Sequence, residues 1–482
     1  MVTEVPSVQT TAEETVSDGQ FVSIGCSTGL DMGFYHLCGG IKFNLQDEGI
    51  SRITLQGNQG EILGGTVVVM VDEEGIPYVN KVYESQTEVV LTPPQRESYF
   101  RTGVNYYIVT LPTTFTEGFT VTFERNGMIG SRCINVEIPI HRAKFQWSDK
   151  PLDIDVQYYP ADWDVKEYDI VNPQVRRFLE EVDYTNDSEY TYTKVTDYSG
   201  SDKPEPVYLE WTGTASEVLL STSPDFLGTD VVSIDETSSP ASVYNLIPGV
   251  PYYYQVTTVS GIQEGCVLPV GPLRMIKANA ASNMRDMGGW ETQDGRSIAY
   301  GKLFRGTQTA SADHDLFVSL GIDVDLDLRG NGGGSPAQVF EDLEYLNLKV
   351  YQFMYKESQQ PGYTEELYRE ALHRIIEWLD EGKTIYFHCI GGADRTGTLA
   401  FLIEALLGLD ENGLNKDYEL TYFSSQKRTR DNNTDRPFRE LVFYMKTFPG
   451  ETLQEQVSNW ATNGDNALSI DEINRLKVLM LE

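Results

Sequence analysis

The stretch Thr384–Gly408, TIYFHCIGGADRTGTLAFLIEALLG, decides how this chain is read. TIYFH has the composition of a short strand, and the apolar run TGTLAFLIEALLG is a helix that stops at Gly408. Between them Cys389, Ile390, Gly391, Gly392, Ala393, Asp394 and Arg395 form a loop of small and polar residues. In an α/β fold such a loop lies at the carboxyl end of a parallel strand, where ligands bind.

The residue types in the loop point to an oxyanion. Gly391 and Gly392 let successive backbone N–H groups turn inward. Aligned with a helix amino terminus, those groups make a nest that needs no basic side chain. Arg395 adds a planar fork suited to two phosphate oxygens, and Ile390, Gly391, Gly392 and Ala393 supply the backbone of the cradle. Cys389 sits at its base. Helix termini and cationic neighbours bring a thiol into roughly the 3.5–7.5 range, so a thiolate there faces phosphorus. In-line attack then gives a cysteinyl-phosphate. His388 is placed to orient the loop, and Thr396 to donate to the thiolate as it leaves. Hydrolysis also needs a group that protonates the leaving oxygen and activates water. Cys-x5-Arg alone arises by chance in many chains. The string HCIGGADRTG on a strand–loop–helix is far more specific, and outweighs the alternative of a structural cysteine beside a glycine turn.

Outward from the loop, EELYREALHRIIEWLDEG places Leu367, Ala371, Ile375 and Leu379 on one helical face and ends at Gly382. IDVDLDL alternates as a strand through Ile322, Val324, Leu326 and Leu328. Helix–strand–loop–helix units of this kind predict an α/β domain over 277–482. Residues 1–146 read as all-β: GGIKFNLQ, SRITLQG, GTVVVMV, NYYIVTLP and FTVTFER recur between Gly, Pro, Asn and Asp clusters, so a β-sandwich is expected. Residues 147–203 are an Asp- and Tyr-rich connector with one helix candidate, NPQVRRFLEEV, capped by Asn172 with Pro173 at its first position. Residues 204–276 return to strands and suggest a second, smaller sandwich. The fold class expected is therefore multidomain: two amino-terminal all-β sandwiches followed by an α/β domain.

Composition narrows the partners. The 482 residues are 40% hydrophobic and 23% charged, which is globular, and the length suggests about three domains. A formal charge of −35, from 72 acids against 37 bases, argues against nucleic acid or an anionic membrane surface as a partner. Any anion site must be built locally, against that field. Five cysteines without a C-x-x-C pair give no zinc site, no metal or cofactor is implied, and pairing of Cys26 with Cys38 or Cys133 is left open, as is the state of Cys266. No run of eighteen apolar residues occurs, and the first residues lack the parts of a signal peptide. Either cytoplasmic residence or a targeting segment further upstream fits.

Several strings carry resemblances. HCIGGADRTG, preceded by NMRDMGGWETQDGRSIAYGKLFRGTQ (Asn283–Gln308) and LGIDVDLDLRG (Leu320–Gly330) and followed by DYELTYFSSQKR, resembles the bacterial tyrosine/lipid phosphatases of the protein tyrosine phosphatase superfamily, whose loop commonly reads HCxxGKDRTG. The resemblance spans about residues 277–445. It implies that Asn283, Arg285 and Asp286 shape the pocket and that Arg329 borders it. For Arg285, Asp286, Arg305 and Arg329 taken singly, a structural ion pair is the default. FYHLCGGIKFNLQDEGISRITLQGNQGEILGGTVVV (Phe34–Val69) resembles the fimbrillin-like domains of bacterial surface lipoproteins and pili. The order Leu246, Pro248, Gly249, Tyr252, Val256 resembles fibronectin type III, with Tyr252 as its corner tyrosine.

Two departures from the phosphatase pattern matter. No Trp-Pro-Asp loop lies between Leu328 and Glu365, where Glu341, Asp342, Glu344 and Glu357 have no recognisable frame. The resemblance then offers Asp394 as the acid, with Glu357 next. Ala393 stands where the family has lysine, which weakens a phosphoinositide reading. Against that, Lys427, Arg428, Arg430, Arg436 and Arg439 cluster in QKRTRDNNTDRPFRE; a solvated cluster is the default, and a pocket rim built from Lys427 and Arg428 would select multiply phosphorylated ligands. The expectation is a metal-independent phosphomonoester hydrolase acting on a phosphotyrosyl protein, a phosphoinositide or an inositol phosphate. It would be extracytoplasmic, with a membrane tether upstream and a surface protein as a further partner. The rival is a surface adhesion protein that recognises a phosphorylated ligand without turnover.

Overall fold

The computed structural model describes all residues except 28–30, 73, 148–149, 155, 157, 161–164, 186–193, 225, 227–229, 331–333, 352–360 and 432–437. The chain divides into two compact units, Met1–Asp164 and Val165–Glu482.

Among its described residues the first unit is built of strands without a helix. Its largest sheet has the order Tyr159–Pro160, Met128–Ile134, Phe119–Arg125, Ile50–Gly57, Glu88–Thr92, Val8–Thr10. Alternation sets which face is buried: Phe119, Val121 and Phe123 enter the core while Thr120 and Thr122 do not. In Ile50–Gly57 the alternation breaks after Ile50, where the pairing with Phe119–Arg125 shifts at a bulge, and resumes with Ile53 and Leu55 buried. Cys26, Cys38, Cys133, Cys266 and Cys389 are all free thiols. Burial pushes Cys38 up to about 11 and, in the second unit, Cys266 up to about 12, so both are inert.

In the second unit the stretch read as a connector contributes structure. Val165–Asp169 forms the edge of a sheet ordered Val165–Asp169, Gly261–Val270, Tyr252–Thr258, Ala215–Ser221, Val232–Ser233. The pair Val207–Leu209 and Ala241–Val243 shares one core with that sheet, through Val207, Leu209, Val218, Leu220, Val256 and Val267. The Tyr252 hydroxyl accepts from the Ile247 N–H at 3.0 Å and closes the Pro248–Gly249 turn. The helix Pro173–Glu181 begins as its residues dictate: the Asn172 side chain accepts from the Gln174 N–H, and Pro173 lacks a donor only where none is needed. Its Val175 and Phe178 are buried against Leu273, Leu420 and Phe423.

The remaining sheet is ordered Arg285–Asp286, Leu303–Gly306, Thr384–His388, Ile322–Asp327, Glu344–Asn347. All neighbours are parallel except Arg285–Asp286. Thr384–His388 is the middle strand and is covered on both faces. Ile385 and Phe387 pack with Ala371, Ile375 and Leu379 of the helix Pro361–Asp380, while Tyr386 packs with Phe304, Phe317 and Phe340. The helix Asp394–Leu407 is buried along its whole length, which suits an apolar sequence without a polar stripe. Gly408, at φ 104°, ends it by donating to the Glu404 and Ala405 carbonyls.

Candidate active site

Asn283 shapes the loop. Its side-chain NH2 donates to the Gly392 carbonyl at 2.9 Å, to that of Gly391 at 3.4 Å and to Thr421 Oγ1 at 3.3 Å. Arg305 Nη2 also donates to the Gly392 carbonyl, at 3.3 Å. In a trans peptide the next N–H points opposite the carbonyl. Holding these two carbonyls inward therefore turns the N–H groups of Gly392 and Ala393 the other way, and among the described residues they make no hydrogen bond. Gly392 has φ 63°, and a Cβ on it would lie 2.4 Å from the Gly306 carbonyl oxygen, so only glycine fits.

Ala393 belongs to the wall of a cavity of about 180 Å³ lined also by Cys389, Ile390, Gly391, Asp394, Arg395, Gln426 and Arg428. Cys389 is buried at its base and Arg395 is buried beside it, with Nη1 donating to the Leu328 carbonyl at 3.4 Å. Ile390 is 43% exposed at the mouth. Asp394 opens the helix. Its Oδ1 accepts from the Tyr418 hydroxyl at 3.0 Å, and its Oδ2 lies 3.9 Å from Arg428 Nη2. Thr396 Oγ1 is buried and has no partner among the described residues. His388 packs behind Cys389, stacked on Tyr386. Its Nδ1 lies 3.0 Å from the Cys389 carbonyl, which can only accept, so that nitrogen carries a hydrogen. Its Nε2 lies 2.9 Å from the buried Asp325 Oδ1, without hydrogen-bond geometry between them.

Of the side chains expected around the pocket, Arg428 lines it and Asn283 acts from behind the loop. Arg285 is buried, donating to Asn283 Oδ1 at 2.7 Å and through Nε to Asp417 Oδ1 at 2.9 Å. Asp286 faces away: it pairs with Arg274 at 3.1 Å and accepts from the Gly288 and Gly301 N–H groups, and burial raises its pKa. Arg329 is held by Asp327 at 2.8 Å and by Gln308 at 3.0 Å. The basic cluster disperses. Lys427 lies over the Tyr422 ring, Arg430 is buried over Tyr184, and Arg439 pairs with Asp431. Arg436 and the alternative acid Glu357 lie outside the described residues. Asp342 pairs with His314 and Glu344 with Lys383, so among the described residues Asp394 is the carboxylate that lines the cavity.

Sequence reasoning did not single out Asp417, Glu404 or Gln426. Asp417 pairs with both Arg285 and Arg305. Burial alone would raise its pKa, but the two guanidiniums hold it below the ordinary carboxylate value. Glu404, on the loop helix, is pushed well above that value by burial and then by Asp417, so it is neutral. Burial, with Arg285 adding to it, brings Arg305 down to about 10. Two cations thus face one carboxylate, and a surplus of positive charge sits beneath the Gly392 carbonyl. Gln426 packs on Gly391, where a Cβ would lie 2.4 Å from its Oε1.

Residues 276–461 match the tyrosine phosphatase family. A Cupriavidus necator protein named as a putative tyrosine-protein phosphatase is 29% identical over 177 residues, covering 32% of this chain and 64% of the relative. The triple specificity protein phosphatase PtpB of Mycobacterium tuberculosis is 32% identical over 85 residues, covering 18% of this chain and 30% of that protein. The crystal structure of P. aeruginosa TpbA aligns with 34% of this chain and 91% of its own, at 13% identity and TM-score 0.24. This chain spans less than two thirds of the length of either relative. Its carboxyl-terminal part is a tyrosine phosphatase-like domain.

Two outcomes are expected of this geometry. Gly392→Ala forces a Cβ onto the Gly306 carbonyl and disrupts the loop, so phosphate and vanadate binding, measured by competition, should weaken at least a hundredfold. The second concerns pH. Glu404 keeps its proton in the folded chain but loses it when unfolded above about pH 4.3. Its ionisation therefore favours unfolding, and stability drains away as pH rises, by up to about 1.4 kcal/mol per pH unit. Glu404→Gln removes that drain: its thermal midpoint relative to wild type should climb steadily from pH 5 to pH 8. A constant difference would mean that Glu404 is ionised in the fold.

Proposed function

We propose that this chain is a cysteine-dependent phosphomonoester hydrolase of the tyrosine phosphatase type, with phosphotyrosyl proteins as its substrate class. The observation that carries this reading is the cavity itself: Cys389 at its base, the Gly391–Ala393 backbone and Arg395 on its wall, and Asp394 on its rim.

In the proposed reaction the phosphate oxygens bind the Gly392 and Ala393 N–H groups and the Arg395 guanidinium. Cys389 Sγ attacks phosphorus as the thiolate, an S–P bond forms and the P–O bond to the leaving group breaks. Asp394 gives its proton to the departing oxygen. It then takes a proton from water, whose oxygen attacks phosphorus and expels the thiolate. The Thr396 hydroxyl donates to the sulfur as it leaves. Tyr418 holds Asp394 Oδ1 and so fixes the orientation of the carboxyl.

The rim favours a singly phosphorylated aryl ester over a phosphoinositide or an inositol phosphate. Ala393 brings no charge, Lys427 is drawn onto Tyr422, and Arg428, with a 38% exposed side chain, is itself near Asp394. Ile390 offers an apolar contact at the mouth. The resemblances of the β modules to fimbrillin-like and fibronectin type III domains support an extracytoplasmic protein tethered to a bacterial surface. Recovery of the native protein in the cytoplasmic fraction would remove that part of the proposal.

Phosphate release from p-nitrophenyl phosphate, a phosphotyrosyl peptide, phosphoinositides and inositol hexakisphosphate tests the chemistry. The peptide should be turned over best, and Cys389→Ser should abolish release; activity that survives this substitution sinks the mechanism. Asp394→Asn should lose about a hundredfold on the peptide, whose leaving group needs a proton, and far less on p-nitrophenyl phosphate. Equal losses would place the acid elsewhere. Tight binding of the peptide without release would leave recognition as the role.

A further inference from the structure

Asp202 lies upstream of the phosphatase-like residues 276–461, yet one residue separates it from the phosphate loop. Its buried carboxylate accepts the backbone N–H of Asn283 through Oδ2 at 2.7 Å. Asn283 is held in the left-handed region, φ 53°. Every polar group by which it could settle differently is spent: Oδ1 receives Arg285, and the side-chain NH2 serves the Gly391 and Gly392 carbonyls.

The segment around Asp202 is itself fixed. The Asp202 N–H donates to the Phe423 carbonyl at 3.2 Å, and Lys203 Nζ donates to the Ala278 carbonyl at 3.3 Å. Gly200 passes so close to its neighbours that a Cβ would lie 2.9 Å from the Phe423 ring and 3.0 Å from Asn172 Oδ1. The same Asn172 caps the helix Pro173–Glu181, whose Phe178 packs on Phe423. The carboxylate is thus delivered to Asn283 by a stretch packed from three sides.

We propose that Asp202 is a positioning residue for phosphate binding, resting on the phosphatase reading of the loop. By fixing the Asn283 backbone it sets the plane of the Asn283 amide, hence the inward turn of the Gly391 and Gly392 carbonyls and the outward N–H groups that meet the oxyanion. The strand-and-helix segment before the phosphatase-like domain is in this way part of the anion site.

The test uses the full chain and follows Cys389 alkylation by mass spectrometry, with the anionic reagent iodoacetate and the neutral iodoacetamide. A cradle of N–H groups speeds the anionic reagent selectively, whereas general loosening speeds both. Wild type should favour iodoacetate. Asp202→Ala should lower the iodoacetate-to-iodoacetamide ratio, the inhibition by vanadate and kcat, each by about tenfold. Asp202→Asn keeps an uncharged acceptor and should lose about threefold, so it carries the test alone if Asp202→Ala does not fold. Both variants at the wild-type ratio and the wild-type kcat would overturn the proposal. A wild type with neither anion preference nor turnover would instead overturn the phosphatase reading, and this inference with it.

Discussion

A loop can bind an anion through its backbone only if its carbonyls are engaged elsewhere, and Asn283 meets that requirement here. A peptide group in a tight turn has no fixed preference for which edge faces a cavity. The Asn283 amide settles it by drawing in the Gly391 and Gly392 carbonyls. Asparagine suits this position because it tolerates left-handed backbone and carries two donors and an acceptor on a short stem. Its acceptor is taken by Arg285, Arg285 is held by Asp417, and Asp417 also holds Arg305, which returns to the Gly392 carbonyl. The chain of contacts closes on the same peptide it began from, so each member is oriented by two others. Networks of this kind are stable only when nearly every buried polar atom is satisfied.

The second constraint is charge. A chain with a formal charge of −35 has no general attraction for a phosphate ester. The fold answers by local cancellation. Asp325 lies against His388, and Asp327 is taken up by Arg329. Glu404 is kept neutral by burial, and Asp417 stands alone against two arginines. What projects into the cavity is then Arg395 and the helix amino terminus. Glu404, on the helix that follows Cys389, is silenced by desolvation, its pKa pushed well above the ordinary carboxylate value.

The strand–loop–helix of the site was legible because it is local. A short aromatic strand, two glycines and an apolar helix each follow from neighbouring residues. Asn283 was legible through its motif, although as part of the pocket and not as the support behind it. Asp325 was not legible, and the reason is physical. IDVDLDL alternates as a half-buried strand does, but the strand is covered on both faces, so Asp325 is buried beside His388 while Asp327 is buried on Arg329 and Tyr345. The basic run Lys427–Arg439 misled in the opposite sense, since adjacency in sequence on a turn sends side chains in different directions. Arg430 reaches into the interior against Tyr184 while, among the described residues of the run, Arg428 meets the cavity.

What the sequence hid most completely is the reach of the segment before residue 204. Its Asp and Tyr content reads as a partly ordered connector that packs on a neighbour, without saying on what, because composition reports hydrophobicity and not the destination of each polar group. A carboxylate at position 202 has no local use: the helix Pro173–Glu181 is already capped by Asn172, and the strand Val165–Asp169 is already paired. Its partner is a backbone N–H eighty-one positions away, and no pattern in a sequence records a backbone donor. The same holds for the Gly200 approach to Phe423, which only a missing Cβ permits. Positions of this kind show themselves when each buried polar group is asked where its hydrogen bond goes. In this chain that question leads from an apparent linker to the peptide groups that would hold a phosphate.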